Sequence, residues 1–212
     1  MKYLIFSDVH GNLPALEQVL KSEEVDAYIN LGDVVNYAPW SNECVQLVDT
    51  LDNCINIRGN HEGYFLEQKL ESKHWLVPLF FKKCFEDFNQ MEVISKYKIS
   101  HQVEDYLCTH TIDNQYIFHD SEIRINENLM VGHSHQQFLR TVNSFKLLNP
   151  GSIGQNRKFI NVSNYVIWDV SQNNFELKEL IFDIDIVINE MKTRQYPQEC
   201  IDYYANKSRI HV

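Results

Sequence analysis

Five short polar clusters in this 212-residue chain combine carboxylate, amide and imidazole side chains, the groups that bind metal ions and transfer protons. In chain order they are Asp8-Val9-His10, Gly32-Asp33, Gly59-Asn60-His61, His110 and Gly132-His133-Ser134-His135. Imidazole suits Zn, Fe, Ni and Mn, whereas carboxylate and carbonyl oxygens suit harder cations. Two Asp, one Asn and four His are too many ligands for one ion that takes roughly four to six. They suffice for two ions that share a carboxylate, the arrangement that activates water for phosphoryl transfer.

The spacing within two of the clusters supports a shared site. Asp8 and His10 are two positions apart, and so are His133 and His135. On an extended backbone, residues two apart point to the same face. Each pair is therefore expected to reach into one cavity.

The elements that must position these clusters are strands, because the clusters follow runs of apolar residues. The first three runs cover residues 2–6, 27–31 and 54–57, and helical spacing of apolar residues predicts helices over about 13–23 and after Ser41. Alternating strands and helices indicate βαβ units and a parallel sheet. Because the carboxyl ends of such strands share one edge, where ligands bind, the distant clusters are expected to converge there.

The rest of the chain divides into a helical segment and a strand-rich half. His74 to Met91 has a helical pattern with five large aromatic residues: Trp75, Phe80, Phe81, Phe85 and Phe88. This helical insertion, at about 62–92, is either a cap that selects the substrate or ordinary core packing. Further strands are predicted over 97–103, 105–109, 129–131, 138–142, 146–148, 165–170 and 175–182, with a final helix over about 184–195. The pattern predicts a single domain over residues 1–212.

Composition excludes several classes of protein. Hydrophobic residues make up 44% of the chain and charged residues 23%, which is typical of a globular domain. The net charge of −10 argues against nonspecific binding to duplex nucleic acid. The longest apolar run, residues 76–81, is far shorter than the roughly 20 residues that span a bilayer. With no signal-peptide pattern and an odd number of cysteines, we expect a cytoplasmic protein with no membrane partner, and its oligomeric state stays open.

The order of the five clusters resembles the calcineurin-like metallophosphoesterase superfamily over nearly the whole chain. Ser7 to Asn12, Gly32 to Tyr37 with Pro39, and Asn149 to Gln155 resemble its small bacterial, phosphodiesterase-like branch. The resemblance implies an α/β fold, a four-layer α/β/β/α sandwich with a two-metal site at its edge.

The same resemblance implies a role for each residue of the site. One metal would be bound by Asp8, His10, Asp33 and His135, and the other by Asp33, Asn60, His110 and His133. Asp33 would bridge the two ions, which are Mn, Fe, Zn or Ni, and a hydroxide between them would attack the substrate. His61 would be the general acid, a role that suits imidazole near neutral pH.

Two further residues are candidates for substrate binding. Arg58 lies in a stretch, Arg58 to Glu62, that resembles the Ser/Thr protein phosphatases, in which the Arg grips phosphate. The stretch from Gly32 to Tyr37 has no second Arg of that kind, so Arg58 could instead pair with a surface acid. Asn12 matches a family position near the metal edge.

The expected function is hydrolysis of a phosphodiester or phosphoanhydride bond in a small, nucleotide-like phosphorylated substrate. The alternatives are a phosphomonoesterase or a diadenosine-polyphosphate hydrolase. A non-catalytic interaction scaffold is a third interpretation, because one branch of the superfamily has lost its catalytic His. That interpretation is disfavoured here because His61 and all seven ligands are present.

Overall fold

The computed structural model describes residues 1–70, 72 and 74–211, and two five-stranded sheets lie at its centre. In these residues the strands are β1 (Lys2–Phe6), β2 (Ala27–Asn30), β3 (Cys54–Asn56), β4 (Ser100–Val103), β5 (Tyr106–Thr109), β6 (Asn128–Met130), β7 (Gln137–Val142), β8 (Phe145–Pro150), β9 (Val162–Asp169) and β10 (Asn174–Ile181). One sheet has the order β10-β9-β1-β2-β3 and the other has the order β4-β5-β6-β8-β7. Strands β1, β2 and β3 are parallel, as are β5, β6 and β8. The antiparallel pairs are β1 with β9, β9 with β10, β4 with β5, and β7 with β8.

Strand β1 shows how the apolar runs divide the core. Leu4 and Phe6 pack on the helical side of the first sheet, whereas Tyr3 and Ile5 pack between the two sheets. This two-residue alternation is what a strand buried on both faces requires. The core between the sheets also contains Met130 and other residues of the second sheet, so the sheets are packed face to face.

The helices of the described residues are α1 (Leu13–Lys21), α2 (Ser41–Asp49), α3 (Asn60–Glu67), α4 (Leu76–Phe85), α5 (Met91–Ser95), α6 (Ile184–Thr193) and α7 (Gln198–Ala205). Helix α1 starts where Asn12 accepts a hydrogen bond from the Ala15 N–H, at 3.3 Å, with Pro14 in the first turn. Buried residues of α1, α2, α6 and α7 share one core with the first sheet. Among the described residues, no helix is long and apolar enough to cross a membrane.

The fold class is confirmed, with two mixed sheets flanked by helices. The outer face of the second sheet is covered by the segment 111–127, which forms turns and irregular backbone. Ile117 and Ile125 of this segment pack with Leu129 and Phe138 of the sheet. The helices thus lie mainly on the first sheet, next to the edge from which Asp8 and Asp33 emerge.

The helical insertion is present, but the single helix expected over 74–91 is wrong. Helix α4 ends at Phe85, and a turn separates it from α5. Asn42 of α2 stabilises this turn, because its side chain donates to the Asp87 carbonyl and accepts from the Asn89 N–H, both at 2.9 Å. Local polar contacts therefore interrupt a helix that the apolar pattern alone predicts as continuous.

Helix α7 is absent from the sequence-based prediction. It follows Pro197 and is only eight residues long, so its apolar pattern is too short to stand out. Cys200, Ile201 and Tyr204 nevertheless form a buried face against α4 and α6. This short helix positions residues that line the site described below.

Candidate metal centre and active site

The polar clusters converge because the strands before them end at the same edge of the molecule. Strands β1, β2 and β3 precede the Asp8, Asp33 and Asn60 clusters, and the parallel strands β5 and β6 precede His110 and His133. All seven predicted ligands lie together there. Both sheets contribute, so the cluster lies at their common edge.

The backbone at this edge is left-handed rather than extended, so the structure differs from the predicted conformation. Positive φ angles occur at five of the seven residues: Asp8 (54°), His10 (50°), Asp33 (57°), His133 (65°) and His135 (57°). Left-handed backbone costs a non-glycine residue roughly 1–2 kcal/mol. Such strain persists where surrounding contacts hold it, and it concentrates at functional sites.

One group of candidate ligands contains Asp8, His10 and His135. His135 Nε2 lies 3.1 Å from Asp8 Oδ1 and 3.2 Å from His10 Nε2. His10 Nε2 lies 3.8 Å from Asp8 Oδ1. One ligand atom from each residue falls within 4.8 Å of the others, a spacing that accommodates one ion.

A second group contains Asp33, His110 and His133, with Asn60 beside it. His110 Nε2 lies 3.2 Å from Asp33 Oδ2 and 3.1 Å from Asn60 Oδ1. The ligand atoms of Asp33, His110 and His133 also lie within 4.8 Å of one another. Asp33 Oδ2 is 3.9 Å from His10 Nε2, so this carboxylate lies between the two groups.

Hydrogen bonds to the backbone orient three of the histidines so that Nε2 faces the centre. Their Nδ1 atoms face backbone carbonyl oxygens: His10 faces Val35 O (3.3 Å), His110 faces Leu31 O (2.7 Å) and His135 faces Gln155 O (2.8 Å). A carbonyl only accepts, so each Nδ1 carries the hydrogen. When the ring is neutral, Nε2 is then free to bind a metal.

The donor set fits divalent cations. In the described part of the chain, the buried oxygen Asp8 Oδ1 accepts no hydrogen bond, although an unsatisfied buried carboxylate oxygen is costly. Facing it are Nε2 atoms of His10 and His135, whose hydrogens are on Nδ1. Acceptor atoms that face one another without a donor require a cation between them.

The same groups have strongly shifted pKa values. Burial alone raises the pKa of Asp8, but the nearby His135 outweighs burial and lowers it to about 2. Burial lowers the pKa of His110, but Asp33 outweighs burial and raises it to about 10. Burial and the neighbouring His110 lower the pKa of His133 to about 4. Asp8 is therefore ionised at neutral pH, and metal-free His110 holds a proton.

Glu62 fixes the two loops that carry Asp33 and Asn60, a role that sequence reasoning missed. One carboxylate oxygen accepts from Val34 N (2.7 Å) and Val35 N (3.2 Å). The other accepts from Asp33 N (2.9 Å) and Gly59 N (2.8 Å). The signal was present in the sequence, since an acid three residues after an N-cap position often reaches back to backbone N–H groups.

The centre opens into a cavity of about 150 Å³. Its walls are His10, Asp33, Tyr37, His61, Tyr116, His133, His135, Gln155, Arg157, Tyr203 and Lys207. A second cleft adjoins it at Tyr116 and His133 and is also lined by Asn60 and Tyr64. The site therefore has a polar floor of candidate ligands and a rim of aromatic and cationic side chains.

Comparison with known proteins identifies the family. A sequence profile of the calcineurin-like phosphoesterases matches residues 1–189. The chain belongs to the calcineurin-like phosphoesterase family. It is accordingly a metal-dependent phosphoester hydrolase, and its His and Asp clusters indicate divalent metal binding.

Individual relatives agree with this family. An uncharacterised protein of Methanocaldococcus jannaschii is 27% identical over 234 residues, covering 92% of this chain and 93% of that protein. A phosphodiesterase of the same organism is 24% identical over 157 residues, covering 71% of this chain and 83% of that protein. A crystal structure of a metallophosphoesterase from Sphaerobacter thermophilus superimposes with a TM-score of 0.77 at 22% identity, covering 97% of this chain and 99% of that one. The fold is therefore the same along the whole length of both chains.

His61, the predicted general acid, lies in the cavity wall beside Asp33. Its backbone N–H donates to Asp33 Oδ1 at 2.8 Å, and its Nε2 lies 4.0 Å from Asp33 Oδ2. Asn36 Nδ2 donates to His61 Nδ1 at 2.8 Å, so a neutral His61 carries its hydrogen on Nε2. Burial lowers the pKa of His61, which Asp33 partly offsets.

The two predicted substrate contacts, Asn12 and Arg58, lie outside the walls of the cavity. Asn12 is buried and caps α1. Arg58 Nη2 donates to the Ser95 carbonyl at 2.8 Å, so its guanidinium is tied to α5. Their substrate contacts stay predictions.

The cavity also contains residues that sequence reasoning missed. Arg157 and Lys207 supply positive charge, and Tyr37, Tyr116 and Tyr203 supply aromatic surface. Tyr37 lies in a stretch already noted for family resemblance. Arg157 and Lys207 follow no apolar run and belong to no motif, so nothing local distinguished them from other surface cations.

Proposed function

We propose that this protein hydrolyses a phosphodiester or phosphoanhydride bond in a small, nucleotide-like substrate, using two divalent ions bridged by Asp33. The observation that carries the proposal is the position of Asp33 Oδ2. It lies 3.2 Å from His110 Nε2 in one ligand group and 3.9 Å from His10 Nε2 in the other. A carboxylate between two sets of ligands is the feature that distinguishes a two-metal centre from a single-metal one.

The remaining ligands divide between the two ions. Asp8, His10 and His135 would hold one, and Asn60, His110 and His133 would hold the other. Bound ions of this kind, Mn, Fe, Zn or Ni for this donor set, supply an activated water and a clamp for phosphoryl oxygens. The carbonyls of Leu31, Val35 and Gln155 keep the imidazoles oriented.

His61 would protonate the leaving oxygen or stabilise the charge that develops there. Asn36 holds its Nδ1, which leaves Nε2–H facing the cavity at 4.0 Å from Asp33 Oδ2. Because burial lowers the pKa of His61, the neutral ring predominates near neutral pH, and its Nε2–H would act on the leaving oxygen as a hydrogen-bond donor.

The test combines metal analysis with a substrate screen. Protein loaded with Mn²⁺, Fe²⁺, Zn²⁺ or Ni²⁺ is assayed with bis-p-nitrophenyl phosphate, p-nitrophenyl phosphate, cyclic nucleotides and dinucleoside polyphosphates. We expect two ions per chain and hydrolysis of diesters or anhydrides ahead of monoesters. Preferential monoester hydrolysis would assign a phosphomonoesterase, and a two-ion protein without turnover would support the scaffold interpretation.

Asp33→Asn tests the bridging role directly. The variant keeps the shape of the side chain but removes one charge, so it should lose most of the metal at one or both positions. Glu67→Gln, at the exposed last residue of helix α3, is the matched control. Full occupancy by two ions in the Asp33 variant would refute the bridge.

A further inference from the structure

Arg157 and Lys207 are two cations in the wall of the metal cavity of a chain whose net charge is −10. In the described part of the chain, neither side chain forms an ion pair. Unpaired cations that lie together repel each other unless an anion binds between them. Their position points to an anionic part of the substrate.

Arg157 is fixed in a way that leaves its binding face free. Its Nε donates to the Ser134 carbonyl at 2.5 Å, and its guanidinium lies over the ring of Tyr116 at 5.2 Å. Within the described residues, Nη1 and Nη2 make no hydrogen bond. A guanidinium held at Nε with two free Nη groups has the geometry for two parallel bonds to a phosphate.

Lys207 is held beside Arg157 by the end of helix α7. Its ammonium lies over the ring of Tyr203, 4.4 Å from the centroid. Burial and the charge of Arg157 lower the pKa of Lys207 to about 8. An anion bound to both side chains would relieve this repulsion, because it supplies the missing opposite charge.

Both cations are connected to the loop that carries two of the candidate metal ligands. Ser134, which accepts from Arg157, lies between His133 and His135. The hydroxyl of Tyr203, under Lys207, donates to Gln155 Oε1 at 3.1 Å, and the Gln155 carbonyl accepts from His135 Nδ1 at 2.8 Å. An anion on these cations is therefore held next to the metal centre rather than on a distant surface.

We propose that Arg157 and Lys207 bind a second phosphate group of the substrate, next to the phosphate at the metal centre. The preferred bond is then a phosphoanhydride within a chain of at least two phosphates. This inference rests on the proposed hydrolase function of the same site. In the reaction, the oxygen of water would bond to the phosphorus beside the candidate ligands while the P–O bond to the bridging oxygen breaks. The bridging oxygen would leave with the electron pair on the second phosphate, where His61 Nε2–H can reach it, and one water proton would go to solvent.

The alternative substrate, a diester with a single phosphate, has no second phosphate for the two cations to bind. Its single phosphate would lie at the candidate ligands. It would leave Arg157 and Lys207 without a partner. Binding therefore separates the two substrate classes without reference to turnover.

The experiment compares a ligand with two phosphorus groups and a ligand with one. Methylenediphosphonate, which cannot be hydrolysed at its bridge, and inorganic phosphate are titrated by calorimetry into Mn²⁺-loaded protein freed of excess metal. The variants are Arg157→Gln and Lys207→Gln. Lys158→Gln is the matched control, because it removes the same charge one residue from Arg157 but does not line the metal cavity. Bound metal is measured before and after each titration.

Each of the two variants should bind methylenediphosphonate about 10- to 100-fold more weakly, which is the effect of one lost charge-assisted hydrogen bond. The affinity for inorganic phosphate should fall less than about threefold in these variants. The control should bind both ligands like the unmodified protein. The proposal would be overturned if a variant lost affinity equally for both ligands, or lost affinity for neither.

Two further readouts keep the result interpretable. Arg157→Gln removes the bond to Ser134, so any loss of metal is measured separately, and Lys207→Gln tests the subsite without touching that loop. The failure of the proposed function is distinguishable as well. A protein that hydrolyses none of the screened phosphoesters refutes the hydrolase assignment, whereas selective binding of methylenediphosphonate bears only on the second subsite.

Discussion

His61 is held by two contacts that leave one ring nitrogen facing the cavity. Its backbone N–H binds the Asp33 carboxylate, and its Nδ1 accepts from Asn36. The contact with the carboxylate involves the main chain, so it survives when the imidazole is removed. The His61 side chain can therefore be removed without removing the backbone contact that positions Asp33.

His61→Ala should retain bound metal but lose about 10²–10⁴-fold in kcat, the usual contribution of a general acid. A good leaving group needs little protonation, so kcat should fall less for nitrophenyl esters than for alkyl esters. Steady-state kinetics on both ester types, with metal content measured in parallel, check this outcome. An equal loss on both ester types would argue against the acid role.

The raised pKa of His110 predicts that metal binding releases a proton. Its folded pKa, about 10, means that the metal-free protein holds a proton there at neutral pH, and a metal ion must displace it from Nε2. Metal affinity should therefore rise with pH between about 6 and 9, by up to about tenfold per unit for one proton. Calorimetry in buffers of different ionisation enthalpy, at one pH, counts the protons released.

His110→Asn is the control for this measurement, because it cannot release that proton. Its observed binding enthalpy should depend less on the buffer than that of the unmodified protein. A buffer-independent enthalpy in the unmodified protein would contradict the predicted proton release.

At the scale of elements, helix α3 fixes the geometry of the metal loops through Glu62. Glu62→Gln replaces one oxygen by an amide NH₂, which would face two backbone N–H donors instead of accepting from them. Each unsatisfied donor costs about 1–3 kcal/mol, so we expect a loss of about 2–5 kcal/mol in the free energy of unfolding. Urea unfolding of the metal-free protein measures it.

The matched control is Glu67→Gln, on the exposed side of the same helix. It removes the same charge without touching the loops, so its unfolding free energy should stay within about 0.5 kcal/mol. Equal stability of the two variants would show that the four hydrogen bonds of Glu62 contribute little.

We expect helix α4 to provide packing rather than a substrate cap. Phe81 stacks on Phe85 and meets the edge of Phe65, while Trp75 is 63% exposed and stacks on His74. Phe81→Ala should lower the unfolding free energy by about 2–4 kcal/mol and reduce activity on all substrates in step with stability. Trp75→Ala should leave both stability and KM unchanged. A raised KM for nucleotides in either variant, at unchanged stability, would restore the cap interpretation.

The sequence predicts elements well where a local pattern is strong. Strands β1, β2 and β3 are recognisable because each is an apolar run that stops at a polar cluster, and α1 because its apolar residues recur at helical spacing. Helix α7 was missed because eight residues after a proline hold little periodicity. Its burial comes from contacts with α4 and α6, which only the folded chain brings together.

At the scale of the whole molecule, the candidate centre joins the two sheets. Asp8, Asp33 and Asn60 follow strands of the first sheet, whereas His110 and His133 follow strands of the second. The sequence predicted this convergence from the rule for strand ends. It did not predict Arg157 and Lys207, because their meeting depends on the tertiary path of a loop and of the chain after α7.

A centre shared between the sheets should stabilise the whole fold when metal binds. In the described part of the metal-free protein, the buried Asp8 Oδ1 accepts no hydrogen bond, and the backbone is left-handed at five of the candidate ligands. Because the native state binds metal and the unfolded chain does not organise the site, free metal at 100 times Kd should add about 2.7 kcal/mol for each bound ion. For a chain of this size that corresponds to a rise in Tm of about 5–11 °C.

Thermal unfolding with Mn²⁺, after removal of metal by a chelator and verification of metal content, measures this rise. Asp33→Asn is the control, since it should abolish most of the metal-dependent rise. Its metal-free Tm should be lower than that of the unmodified protein, because the substitution leaves protonated His110 without the buried carboxylate that lies 3.2 Å away. An unmodified protein that binds two ions with no change in Tm would mean that the sheets are already fixed without metal, and that the centre contributes to chemistry alone.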